Sequence, residues 1–65
     1  MGNLIEDLMQ ELNRNKELLG MYEKIPQGVF GATMIKADIK KAEKAIVEGD
    51  TVKMLSSFIS LKDNE

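Results

Sequence analysis

The chain has no cysteine, no histidine and no tryptophan, one proline, and among its 65 residues only Tyr22, Phe30 and Phe58 are aromatic. Without cysteine there is no disulfide, and without cysteine or histidine the usual zinc sites are excluded. The same two absences remove the commonest nucleophiles and bases of catalysis. Serine, threonine, lysine and carboxylates are present, but no acidic pair has surroundings that would tune its pKa. Adjacent Glu6 and Asp7 are explained by a helix start. The composition therefore points away from an enzyme and to no catalytic residue, metal or cofactor. No apolar run approaches the ~20 residues of a membrane span. Met1 to Glu11 carries acids and no early basic cluster, unlike a secretory signal. With the lack of cysteine, this makes the cytoplasm the expected location.

Nine basic residues against eleven acidic ones give a net charge of −2, so duplex nucleic acid is not an expected partner. A chain of this length makes one domain and buries only about 60% of its unfolded surface. Small scaffolds usually add a disulfide, a metal or a partner chain. With the first two excluded, self-association is expected.

What is present is helical periodicity. A first helix is expected over about 3–24, some 20 residues or ~30 Å long. Asn3 and Glu6 have the spacing of a capping box, and Glu6 and Asp7 suit the positive end of the dipole. Ile5, Leu8, Leu12, Leu19 and Tyr22 recur in steps of three and four that fit one face, with Asn15 in the vacant position and Leu4, Met9, Leu18 and Met21 widening the stripe. One reading makes Ile5, Leu8, Leu12, Asn15 and Leu19 a seam between copies of the chain, with Asn15 a buried polar residue that fixes register. The other makes the stripe an ordinary core face with Asn15 at its wet edge. Glu11 and Arg14 read as a solvated pair. Gly20 either loosens the helix, at about 1 kcal/mol relative to alanine, or admits another helix closely.

Pro26 disfavours helix at Ile25, so a loop is expected over 25–31. The second helix, about 32–48, carries Ile35, Ile39, Ala42 and Ile46 on a narrow face, with Asp38 at its wet edge. Lys36, Lys40 and Lys44 stand on the other side at strict i,i+4 spacing, either a solvated face or an anion-binding strip. Gly49 suits a left-handed helix end and Asp50 the next N-cap. A third helix of about 51–61 is expected to bury Val52, Leu55, Phe58 and Ile59, extended by Met54 and Leu61, with Ser56, Ser57 and Ser60 outside and 62–65 frayed. The expected fold is all-α: a helical hairpin of long helix 1 and medium helix 2, plus a short C-terminal helix 3, assembled as an oligomer.

The stretch Ile25 to Thr33 is the most specific signal. Gly28-Val29-Phe30-Gly31 has the G-x-x-G outline of the KH loop, yet Val29 and Phe30 stand where that loop carries lysine or arginine, and no strands accompany it. No Gly-Lys-Ser/Thr follows, so it is not a P-loop. Two physical readings remain. Val29 and Phe30, with Tyr22 and Met34 beside them, either cap the open end of the hairpin or contact a partner. Alternatively Gly28, Gly31 and Thr33 at the helix start, with Lys36 and Lys40, hold a small anion.

The run Tyr22-Glu23-Lys24-Ile25-Pro26-Gln27-Gly28-Val29-Phe30-Gly31-Ala32-Thr33-Met34-Ile35, followed by Ala42-Glu43-Lys44-Ala45 and Gly49-Asp50-Thr51-Val52-Lys53-Met54-Leu55, resembles short uncharacterised helical proteins of tailed phages and prophages. The shared wording is Y-E-x-I-P-x-G-x-F-G-A-x-M-I, and the likeness covers most of the chain from Leu18. A weaker likeness to half of a tetratricopeptide repeat reflects shared helix-turn-helix packing, since one copy makes no solenoid. The phage resemblance implies a small accessory protein that binds a host component, often one of antiviral defence, in the host cytoplasm. Three functions follow as expectations: inhibition or sequestration of a host protein by direct contact, oligomeric sequestration of a small anionic ligand such as a nucleotide signal, or a structural or assembly role.

Overall fold

Asn3 starts the first helix. In the computed structural model, which describes residues 3–65, its side-chain oxygen accepts from the Glu6 N–H at 2.8 Å, and α1 runs Leu4–Glu23. Pro26 cannot continue that helix. It opens instead a single 3₁₀ turn, Pro26–Gly28, where its fixed φ is already suitable. That turn feeds directly into α2, Val29–Glu48. The second helix therefore begins three residues before the expected Ala32, and Val29, Phe30 and Gly31 form its first turn instead of a loop. Gly49 takes φ 67° and ends α2, and the Asp50 side chain caps α3, Thr51–Lys62, by accepting from the Lys53 N–H at 3.0 Å.

Short connections between amphipathic helices favour antiparallel neighbours. Two exposed ion pairs span α1 and α2 in this antiparallel register, Lys16 with Glu43 at 3.3 Å and Lys36 with Glu23 at 3.3 Å, although exposed pairs contribute little to stability. α3 folds back so that all three helices touch one another. The core consists of Leu8 and Leu12 from α1, Ile35, Ile39, Ala42 and Ala45 from α2, and Met54 and Leu61 from α3. Ala42 and Ala45 are essentially inaccessible, and their small side chains leave room for the neighbouring backbones.

This interior corrects the seam expected on α1. Leu8, Leu12 and Asn15 are buried against the chain's own helices, and Leu19 is partly buried on the same core. Only Ile5 of that set is largely exposed. Neither reading of Asn15 anticipated its environment. It is fully buried, and its amide donates to the Glu11 carbonyl at 2.8 Å and the Leu61 carbonyl at 3.1 Å. Its oxygen accepts from Asn64 at 3.0 Å, and Asn64 also donates to the Asp38 carboxylate at 3.0 Å. Arg14, besides pairing with Glu11 at 3.0 Å, donates to the Leu61 carbonyl at 2.8 Å. Carbonyls in the last turn of a helix lack intrahelical partners, and here α1 supplies them. The Tyr22 hydroxyl donates to the Glu65 backbone oxygen. Residues 62–65 are thus tied down where fraying was expected, and Asp38 serves this tie instead of marking a wet edge.

The face of α3 also differs from expectation. Met54, Ser57 and Leu61 are buried and Phe58 partly so, whereas Val52, Leu55 and Ile59 are exposed. Both sets are compatible with helical spacing. The one the bundle uses is the one that brings the Leu61 carbonyl to Asn15, even though Ser57 becomes buried with its hydroxyl unpartnered among the described residues.

The two buried polar side chains should therefore respond oppositely to truncation. Asn15→Ala removes the hydrogen bonds to the Glu11 and Leu61 carbonyls and one of the two that the Asn64 amide makes, at an expected cost of about 1–3 kcal/mol. For a domain of this size that lowers the thermal midpoint by about 4–8 °C per kcal/mol. Ser57→Ala deletes an orphaned hydroxyl and should leave the midpoint unchanged or raise it. Thermal denaturation followed by circular dichroism measures both.

Candidate functional site at the start of α2

Tyr22 organises the junction between α1 and α2. Its ring lies against Gly31, where a Cβ would run into the ring itself, and a Cβ at Gly28 would run into the Tyr22 backbone carbonyl. Both glycines are thus required by close approach, not by a phosphate. With the ring seated there and the hydroxyl bound to Glu65, Tyr22 holds the end of α1, the start of α2 and the end of the chain together.

The residues expected to contact a partner divide around it. Successive helical residues point about 100° apart, so Val29 and Phe30 face different ways. Phe30 and Met34, four apart, share one side of α2 and are 86% and 64% exposed. Val29, 64% exposed, lies instead beside Tyr22, Ile25, Thr33 and Lys36 around a shallow groove of about 250 Å³. Phe30 is the most exposed aromatic of the chain's three and covers no core, so the capping reading of the loop does not hold.

The residues expected to hold an anion are not gathered into one cradle. Gly31 is covered by Tyr22, and the Thr33 hydroxyl donates to the Val29 carbonyl at 2.9 Å. Lys36 pairs with Glu23, so a carboxylate already stands in the groove that Lys36 lines. Lys40 lies one turn further along and does not line it. The groove also falls below the roughly 300–1,000 Å³ of pockets that enclose a small ligand.

The charge on α2 is nonetheless segregated. Each of its acids is engaged toward a neighbour: Asp38 with Asn64, Glu43 with Lys16, Glu48 with Lys53. Among the described residues no carboxylate pairs with Lys40, Lys41 or Lys44. The outward side of α2 is therefore an aromatic end followed by unpaired lysines. Comparison with protein-family models, curated proteins and solved structures gives no match. The site must be read from its own chemistry.

Two surfaces lie outside the residues expected to bind. One is the exposed flank of α3 at Val52, Leu55 and Ile59. The other is a groove of about 280 Å³ between α1 and α2, with Met9, Leu12, Ile46 and Val47 along it. The i, i+3, i+7 spacing of the first is visible in the sequence, where it reads as a core face. Among the described residues no group of three carboxylates stands close enough to hold a metal, and no helix is long and apolar enough to cross a membrane.

The glycines give a direct check of this geometry. Gly20 lies within α1 with nothing within 4 Å of the point where a Cβ would stand, so it admits no close helix, and Gly20→Ala should stabilise by about 1 kcal/mol through helix propensity alone. Gly31→Ala gains the same propensity but displaces the Tyr22 ring and should destabilise by about 1–3 kcal/mol, as overpacking does. Urea denaturation of the two variants should move the midpoint in opposite directions.

Proposed function

We propose that the chain is a non-enzymatic binding protein that inhibits or sequesters a host factor through protein–protein contact at the start of α2. The observation that carries this reading is Phe30, 86% exposed on a helical turn that Tyr22, Gly28 and Gly31 hold in place. An aromatic side chain presented on a rigid element matches the anchors that dominate protein interfaces. Met34, on the same side one turn further, extends the apolar contact. The resemblance of Tyr22 to Ile35 and the segments after it to small tailed-phage proteins supplies the context: a host partner, in the host cytoplasm, of the kind that serves antiviral defence.

A second reading draws on the unpaired lysines. An aromatic ring followed by Lys40, Lys41 and Lys44 has the chemistry to bind a nucleotide-like anion, with a base stacked on Phe30 and phosphate on the ammonium groups. The side of a single helix is convex and cannot enclose a small ligand, so this reading requires a second copy of the chain to form the other wall.

Affinity capture from bacterial lysate with the wild-type chain and Phe30→Ala tests the first reading. The variant should keep its helical signal and its stability within about 0.5 kcal/mol, as exposed substitutions do, while losing the captured proteins. Unchanged capture contradicts the reading. A thermal-shift panel of nucleotides tests the second, because a ligand that binds the folded state raises the midpoint by mass action. A rise abolished in Lys40→Glu/Lys44→Glu would select the nucleotide reading, and no rise with any nucleotide would remove it.

A further inference from the structure

The outward side of α2 has a charge pattern that the rest of the surface does not share. At about 100° per residue, the helix aligns Phe30, Ala37, Lys41 and Lys44 on the side away from Ile35, Ile39 and Ala42 of the core. Met34 and Lys40 stand to either side of that line, and all six are exposed. The strip is apolar at its N-terminal end, small at Ala37 and basic over Lys40 to Lys44. Phe30 and Lys41 are about 16 Å apart along the axis at 1.5 Å per residue. Lysines on a solvated helix ordinarily find a carboxylate one turn away, as Arg14 finds Glu11 on α1. Here Glu43 and Glu48 reach instead to Lys16 and Lys53 on the other two helices, and no carboxylate pairs with Lys40, Lys41 or Lys44 among the described residues. Five of the eleven acids lie on α1, so a net charge of −2 conceals a local cationic strip.

We infer that the strip docks an acidic amphipathic helix of the protein partner, lying antiparallel to α2, with carboxylates over the lysines and apolar side chains against Phe30 and Met34. This rests on the reading of Phe30 as a protein anchor and adds the chemistry of what it meets. The orientation follows from where helices hold their acids. The positive end of the dipole favours them in the first turn, and only an antiparallel helix sets that turn against Lys41 and Lys44. Its apolar residues about three turns later then reach Phe30, and Ala37 lets the two backbones approach in between. A nucleic-acid strand fits less well, because its charges repeat without a break while the strip gives way to Met34 and Phe30 at one end and Glu48 at the other. Exposed ion pairs contribute little affinity. Phe30 therefore retains the partner, and the lysines select it and speed its arrival.

Three synthetic helical peptides of about 18 residues, or ~27 Å, test the inference. One carries glutamates in its first two turns and leucines in its last two, the second has the reverse order, and the third has lysines in place of the glutamates. The first should shift the NMR signals of Phe30, Ala37, Lys41 and Lys44 and bind at least about tenfold more tightly than the third, or some 1.4 kcal/mol. It should also bind more tightly than the second. The preference should shrink between about 0.01 and 0.15 M salt, as the screening length falls from about 30 to 8 Å. Lys41→Glu/Lys44→Glu should invert it in favour of the lysine peptide, whereas Phe30→Ala should weaken both without changing their order. Absence of binding by the acidic peptide, equal binding of all three, or a preference unmoved in the lysine variant overturns the inference. Tighter binding at the same lysines by phosphatidylglycerol vesicles or oligothymidylate does so too. Lysate capture separates it from the reading beneath it: capture lost in Phe30→Ala but kept in Lys41→Glu/Lys44→Glu removes the acidic partner and leaves the anchor, while capture kept in Phe30→Ala removes the anchor as well.

Discussion

The hydrogen bonding of one buried amide, Asn15, fixes how the third helix sits. α3 offers the core few apolar side chains, chiefly Met54 and Leu61 with the partly buried Phe58, and its inward face also contains Ser57. Hydrophobic burial is non-directional and would tolerate several rotations of such a helix. The directional contacts are concentrated on residues 61–65: Arg14 and Asn15 to the Leu61 carbonyl, Asn15 and Asp38 to Asn64, and Tyr22 to Glu65. Any other rotation or register would cost Asn15 its bonds to Leu61 and Asn64 and leave it only the one to the Glu11 carbonyl of its own helix, at a cost of about 1–3 kcal/mol. A buried polar residue that specifies register is a recognised use of such groups. Here it works within one chain, between α1 and the end of α3.

The surface follows from that constraint. Because Asn15 turns Met54, Ser57 and Leu61 inward, the apolar residues Val52, Leu55 and Ile59 are left outside. Because Tyr22 occupies the space over Gly31 and Gly28, the first turn of α2 is fixed with Phe30 projecting from it. And the three acids of α2 are engaged elsewhere, Asp38 with Asn64 beyond α3, Glu43 with Lys16 of α1 and Glu48 with Lys53 of α3, while none of them pairs with Lys40, Lys41 or Lys44 among the described residues. Apolar anchor, basic strip and uncharged ridge are therefore consequences of how the interior closes.

Much of the fold is legible from local chemistry. Asn3, Pro26, Gly49 and Asp50 each act within a few residues of their own position, and the helix ends they imply occur where expected, apart from the early start of α2. That start is hidden because two glycines beside Val29 and Phe30 read as loop, when their real cause is a tyrosine packed across from α1. What the sequence could not show is which of two overlapping faces on α3 turns inward. Val52, Leu55 and Ile59 are the more hydrophobic choice by sequence, and the face that turns inward instead buries Met54 and Leu61, packs Phe58 and brings the Leu61 carbonyl to Asn15. The same tie makes Asn15 an interior residue of one chain, where its position in an apolar stripe suggested a seam between two. At the candidate site, the prominence of Phe30 is readable from sequence, but its separation from Val29 by the turn of the helix is not, as long as both read as loop.

Amide hydrogen exchange measured residue by residue by NMR tests most directly whether α3 belongs to the cooperative core and is held there by Asn15. If it does, the amides of Met54 to Leu61 and the Asn15 side-chain amide exchange as slowly as those of Leu8, Leu12, Ile35 and Ile39, all through global unfolding. Exchange in α3 faster by orders of magnitude than in α1 and α2, with an unprotected Asn15 side chain, would contradict it and return Leu8, Leu12 and Asn15 to the surface as an exposed stripe.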